Sequence, residues 1–119
     1  MPEVTEAKSV TVRPVQGVQV VKVRGKLALG CAPLTELRER LAELTSHGEV
    51  KWLLDLQEVQ MLDSSGVGVL AQTMTSARNS QGACKLLHLQ KFPSQVLKMV
   101  GLLSLFEVFD DLDAALATF

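Results

Sequence analysis

The residues best suited to chemistry in this chain lie together, in Met61-Leu62-Asp63-Ser64-Ser65-Gly66-Val67-Gly68. The segment reads as a junction between a strand and a helix, where α/β folds commonly place function. The first N–H groups of a helix lack internal partners, and that end carries partial positive charge. Asp63 or Ser64 can accept from one of those groups as the N-cap. Gly66 and Gly68 fall in the first turn, where each costs about 1 kcal/mol of helix propensity. Two glycines there leave the backbone bare, so a partner protein such as a kinase can approach Ser64 and Ser65 closely. In a plainer reading the serines are only caps and the glycines only allow tight packing on a sheet. Local chemistry leaves both readings open.

Other chemistries lack their parts. A catalytic serine needs a sharp turn and a base, yet the chain has no G-x-S-x-G elbow, and nothing places His47 or His88 beside Ser64. Gly66-Val67-Gly68 lacks the full glycine pattern and the Lys-Ser/Thr ending of a phosphate loop. Cys31 and Cys84 show neither CxxC nor metal-ligand spacing. Two such thiols fit a reducing compartment, where both stay free. With only His47 and His88 beside them, no zinc set is signalled. The expectation is a binding protein, not an enzyme, with no catalytic residue, metal or cofactor.

The elements that must position the segment fit one domain. At 119 residues the chain can bury a useful core without disulfides or metals. Its 47% hydrophobic and 21% charged residues are the balance of a folded domain. A single domain over residues 1–119 is expected, with residues 1–8 as a flexible N-terminal segment. The formal net charge of −1 gives no long-range pull toward nucleic acid or anionic lipid. The acidic start Met-Pro-Glu-Val-Thr-Glu has no apolar h-region, and no run nears the roughly 18 apolar residues that span a bilayer. No membrane insertion and a cytoplasmic location are expected.

Val10, Val12 and Val15 alternate in a first strand, Gly17 turns the chain, and Val18 to Val23 form a second strand that Gly25 ends. Pro33 opens a helix in which Leu34, Leu37, Leu41 and Leu44 recur at helical spacing, with Glu36 and Arg40 as an i,i+4 pair and Gly48 as the stop. Val50 to Leu56 reads as a central strand covered on both faces. Leu62-Asp63-Ser64-Ser65 opens the next helix, which Gly82 closes. Lys85 to Leu89 is a strand, and Pro93 and Ser94 open a short helix ended by Gly101, with Leu102 packing back on Leu97. Glu107 to Phe109 is an edge strand, and Asp110 and Asp111 can cap a last helix. The order ββαβαβαβα requires crossovers, hence an α/β domain with a mixed, mostly parallel sheet and about four helices.

Asp63-Ser64-Ser65-Gly66-Val67-Gly68-Val69-Leu70 resembles the signature of the STAS family, the anti-sigma factor antagonists and their relatives. Upstream, Trp52-Leu53-Leu54-Asp55-Leu56 and Val59 match its hxhDLxxVxxhDSSG pattern, with h an apolar residue. Downstream, Gly82 before the Lys85 strand, Gly101-Leu102, Phe106 and Ala114-Ala115-Leu116 resemble its later landmarks. The resemblance covers nearly the whole chain. It implies phosphorylation of Ser64, with Ser65 as the alternative, by an anti-sigma factor that is also a serine kinase. It implies further that the unmodified form binds that partner and that a phosphatase resets the cycle. Met61, Leu62, Asp63, Ser65, Gly66 and Val67 would then shape the partner contact. A rival within the family is an adaptor that is not phosphorylated, in a stressosome-like or lipid-transport assembly.

One departure bears on these expectations. Phosphorylated relatives often read Gly-Glu-Leu-Asp after the second strand, whereas this chain has Gly25-Lys26-Leu27-Ala28. Lys26 is read as a solvated lysine in a loop, Trp52 as half-buried, and Cys31 as an inert loop residue. Met61, Leu62, Met74 and Met99 are read as packing residues, the first two also flanking the serine loop. Most of Leu102, Leu103, Leu105, Phe106 and Phe109 should be core.

Overall fold

The computed structural model describes residues 9–119; the segment 1–8, expected to be flexible, lies outside them. Val10–Val15 (β1) and Val18–Leu27 (β2) pair antiparallel, with Val15 opposite Val18. The two residues between them, Gln16 and Gly17, both take positive φ (53° and 82°). That is the turn whose twist matches a tight hairpin, and it needs a residue such as glycine. Ala32–Ser46 (α1), Lys51–Leu62 (β3), Ser64–Asn79 (α2), Ala83–Leu87 (β4), Lys91–Met99 (α3), Val108–Phe109 (β5) and Leu112–Leu116 (α4) follow, with a 3-10 turn at Leu103–Leu105. The sheet runs β1-β2-β3-β4-β5, and every pairing after the first is parallel. The expected order and mixed sheet are therefore present.

β3 is central and covered on both faces. Trp52, Leu54 and Leu56 join Leu37, Leu41, Leu70, Met74 and Leu97 in one apolar layer with α1, α2 and α3. Leu53 points the other way, with Val18, Val20, Leu87, Ala115 and Leu116 beneath α4. Period-2 alternation along a strand buried on both faces produces this split. Trp52 is fully buried rather than half-buried, at 1% exposure. Its indole N–H donates to the Glu49 carbonyl at 2.7 Å, which removes the penalty of burying it.

Several boundaries differ from expectation for identifiable reasons. Gly25 does not end β2. The strand continues to Leu27 through register shifts around Arg24, and Gly25 takes φ +102° there. Each shift sets three steps of β3 against two of β2, so the extra residues lie on β3 and the pairing is kept. Lys26 is therefore in a strand, opposite Met61, and not in a loop. β3 likewise runs on to Leu62, so Met61 and Leu62 belong to the strand and α2 starts only at Ser64. α3 begins at Lys91, ahead of Pro93, because a proline in the first turn has no internal bond to lose. Glu36 does not pair with Arg40: its carboxylate accepts from the Ser9 amide at 2.9 Å, and Arg40 turns to Glu43 at 2.9 Å.

The helix ends show what their glycines do. Leu102 N–H donates to Leu97 O at 2.9 Å and Gly101 N–H to Lys98 O at 3.1 Å, with Gly101 at φ +79°. That is the expected six-to-one and five-to-two closure. At the end of α2 the left-handed residue is Gln81 (φ +64°), not Gly82. Gly82 serves a different purpose, since its α-carbon lies too close to the Val50 carbonyl for any side chain.

Candidate functional site

Parallel strands bring their carboxyl ends to one side of the sheet, and β2 and β3 reach furthest there, ending at the paired residues Leu27 and Leu62. The turn Ala28–Cys31 leaves β2, and Asp63 leads from β3 into α2. Asp63 joins the two. One carboxylate oxygen, Oδ1, accepts from the Gly66 amide at 2.9 Å and caps α2. The other, Oδ2, accepts from the Leu29 amide at 3.0 Å. The Asp63 amide itself donates to Leu27 O at 3.3 Å. The Leu29 amide, and after it the Gly66 amide, hold the Asp63 carboxyl below its ordinary range, because both bonds favour the ionised form. The sequence offered Asp63 or Ser64 as the cap; the geometry assigns it to Asp63.

Ser64 is consequently left out of the cap. It occupies the first helical position of α2 and is exposed, and Ser65 is half-exposed behind it. Met61 is 40% exposed on the strand side of the loop. Three other residues expected in the contact lie beneath it: Leu62 is 3% exposed and Val67 8%, and Gly66 is buried as well. They support the surface from below and do not form it. Gly66 has a steric reason to be glycine, because a Cβ there would run into the Leu27 carbonyl oxygen and stand 2.6 Å from Leu62 Cδ1. Gly68 meets nothing within 4 Å and leaves the outer face of the first turns bare.

At this end sequence reasoning misses Leu29 and puts Lys26 in a loop. Leu29 is 77% exposed at the corner of the Ala28–Cys31 turn. Lys26 emerges from β2 beside Met61. Ala28 is buried, so the position carries no charge at the surface. Further down β2, Lys22 and Arg24 both lean on Glu58 Oε2, at 3.0 and 3.7 Å. Elsewhere, Cys31 occupies the N-cap position of α1 without a side-chain cap bond. Cys84 is buried, and burial pushes its thiol up to about 12. Among the described residues no three His, Cys, Asp or Glu groups gather as metal ligands, and no helix is long and apolar enough to cross a membrane. Met99 is 84% exposed and does not pack in the core.

A five-stranded mixed sheet with a serine-bearing helix start at its carboxyl edge defines the class. The chain belongs to the STAS domain family, whose model matches residues 9–115. It is 28% identical over 109 residues to the candidate anti-sigma factor antagonist BtrV of Bordetella bronchiseptica, covering 92% of each chain. Its fold is similar to that of an anti-sigma factor antagonist from Mycobacterium paratuberculosis (TM-score 0.78, 23% identity, 92% of this chain and 91% of that one). It is similar also to the Bacillus cell fate determinant SpoIIAA in its phosphorylated form (TM-score 0.71, 17% identity, 92% and 97% covered). The chain thus has the STAS fold of anti-sigma factor antagonists.

Proposed function

We propose that this domain is a regulated protein-binding module of a partner-switching pathway, and that its switch is phosphorylation of Ser64. The observation that carries the reading is the exposed Ser64 side chain at the first position of α2, left uncommitted because Asp63 takes the cap. A phosphate there adds about −1.5 to −2 charge and three acceptors. The helix end tolerates it, since its dipole and open N–H groups favour an anion. Asp63 next door repels it, so the gain is partial. The consequence is an altered surface on an unaltered fold. A contact built around a neutral hydroxyl then faces an unpaired charge and loses affinity. The partner under this reading is an anti-sigma factor with serine-kinase activity, and a phosphatase reverses the modification. The domain acts by binding and not by catalysis. The similarity to BtrV over 92% of the chain supports the reading.

The test is to mix the protein with ATP and each candidate anti-sigma kinase of its own genome, then weigh the intact chain. One added phosphate mapping to Ser64 and absent from Ser64→Ala is expected, with Ser64→Asp weakening kinase binding by about tenfold or more. A phosphate on Ser65 alone moves the site by one residue. No modification by any kinase, together with Ser64→Asp binding its partners as tightly as wild type, discards the switch in favour of a constitutive adaptor.

A further inference from the structure

At the sheet end from which Ser64 follows, three side chains face solvent: Leu29 at 77% exposure, Met61 at 40%, and Lys26. Leu29 is not on a loose loop. Cys31 N–H donates to Ala28 O at 3.0 Å and closes the turn, and Gly30 takes φ +82° within it. The Leu29 amide is fixed to Asp63 Oδ2 at 3.0 Å. The leucine therefore projects from a turn whose backbone is already ordered, so a partner that covers it need not order the loop first. Lys26 and Met61 are partners in the parallel register of β2 and β3, which sends their side chains off the same face.

Charge at this rim is equally specific. Lys22 and Arg24 are engaged with Glu58, whereas Lys26 makes no ion pair among the described residues. Both Asp63 oxygens accept backbone amides, and the carboxylate stays partly exposed beside Ser64. The exposed side chains at this rim thus include two large apolar ones and a cation without an ion-pair partner among the described residues.

We infer that Leu29 and Met61 are the apolar anchors of the surface that carries Ser64, and that the partner is a protein presenting an apolar pocket beside a carboxylate that meets Lys26. The inference rests on reading Ser64 as part of a contact surface, and it adds which residues give that contact its affinity and sign. Leu29 supplies contact area without an ordering penalty, and Lys26 selects an acidic partner surface. The anchor at Leu29 in turn depends on Asp63, which serves as a positioning residue.

Photo-crosslinking in the native cell tests this on the full chain. Benzoylphenylalanine replaces Leu29, Met61 or, on the exposed end of α3, Met99, and each adduct is identified by mass spectrometry. The captured protein is then purified and titrated against Leu29→Ser and Lys26→Glu. The same protein is expected from positions 29 and 61 and not from 99. Each substitution should weaken its binding by about tenfold or more, with circular-dichroism melting unchanged because both side chains are exposed. Adducts from 99 alone, adducts from none of the three, or affinities unchanged within about twofold overturn the inference. Adducts at 29 and 61 that persist undiminished in Ser64→Asp leave this surface standing and remove the switch. Phosphorylation of Ser64 with adducts only from 99 does the reverse.

Discussion

Gly66 lies against the carbonyl oxygen of Leu27 so closely that no side chain fits between helix α2 and the end of β2. The obstructing atom is backbone, held in the sheet by strand pairing, and cannot swing aside as a side-chain tip would. Gly66→Ala is therefore expected to destabilise the domain by about 3 kcal/mol. Gly68→Ala, two residues on and with open space around it, should stabilise by about 1 kcal/mol through helix propensity alone. Urea unfolding of the two variants gives opposite signs if the contact is as described.

Asp63 links acidity to the same junction. Its carboxyl is held below the ordinary range, chiefly by the Leu29 amide and next by that of Gly66. A carboxylate whose folded pKa is lowered adds stability above its unfolded value of about 4, and that stability is lost as pH falls through the folded value. Asp63→Asn should melt below wild type at pH 7. The two melting temperatures should converge at the acid end, once pH has fallen through the folded value and wild type is also uncharged. A gap that is the same at both pH values would mean that the charge contributes nothing.

The two thiols should separate by access. Cys31 is half-exposed, while Cys84 is buried with its thiol pushed up to about 12. Only the thiolate reacts readily, so native protein should titrate a single thiol with a disulfide reagent at neutral pH and a second one only in denaturant. Cys31→Ser should abolish the native reaction.

Lys85 secures the second apolar layer. It is 7% exposed on β4, and its ammonium donates to the Thr118 carbonyl at 2.9 Å and hydroxyl at 2.8 Å. Glu107 stands 3.5 Å away, and the Phe119 ring centroid 4.7 Å. Lys85→Met keeps the stem but leaves the Thr118 carbonyl without this donor. The loss should be on the order of 2 kcal/mol in urea unfolding. Amide exchange in Leu112–Leu116 should quicken while that in β3 does not.

Element order and sheet type were legible because strand–helix alternation leaves few topologies open. The stops at Gly48 and Gly101 were legible too, and the cap was narrowed to Asp63 or Ser64, since such bonds are local. What escaped detection was non-local. The Leu29 amide and Asp63 are 34 residues apart, and Lys85 and Thr118 are 33 apart, with no pattern in the chain that pairs them. The run of β2 through Gly25 depends on β3 lying alongside, which composition does not reveal. Met99 shows the limit of apolar counting: it extends the α3 pattern by type, yet its side of the helix has nothing to pack on.

Trp52 gives the chain an optical reporter. There is one tryptophan and no tyrosine, so fluorescence excited near the indole band comes from a single site. That site is fully buried at the start of β3, whereas Ser64 follows the strand's far end, about 26 Å away by the eight residue steps of β2 that run alongside. Emission from Trp52 will therefore register whether the domain is folded and stay silent about whether Ser64 is modified or covered. A dye on the Ser64 side and the native indole would then read binding and folding as two independent colours in one cuvette.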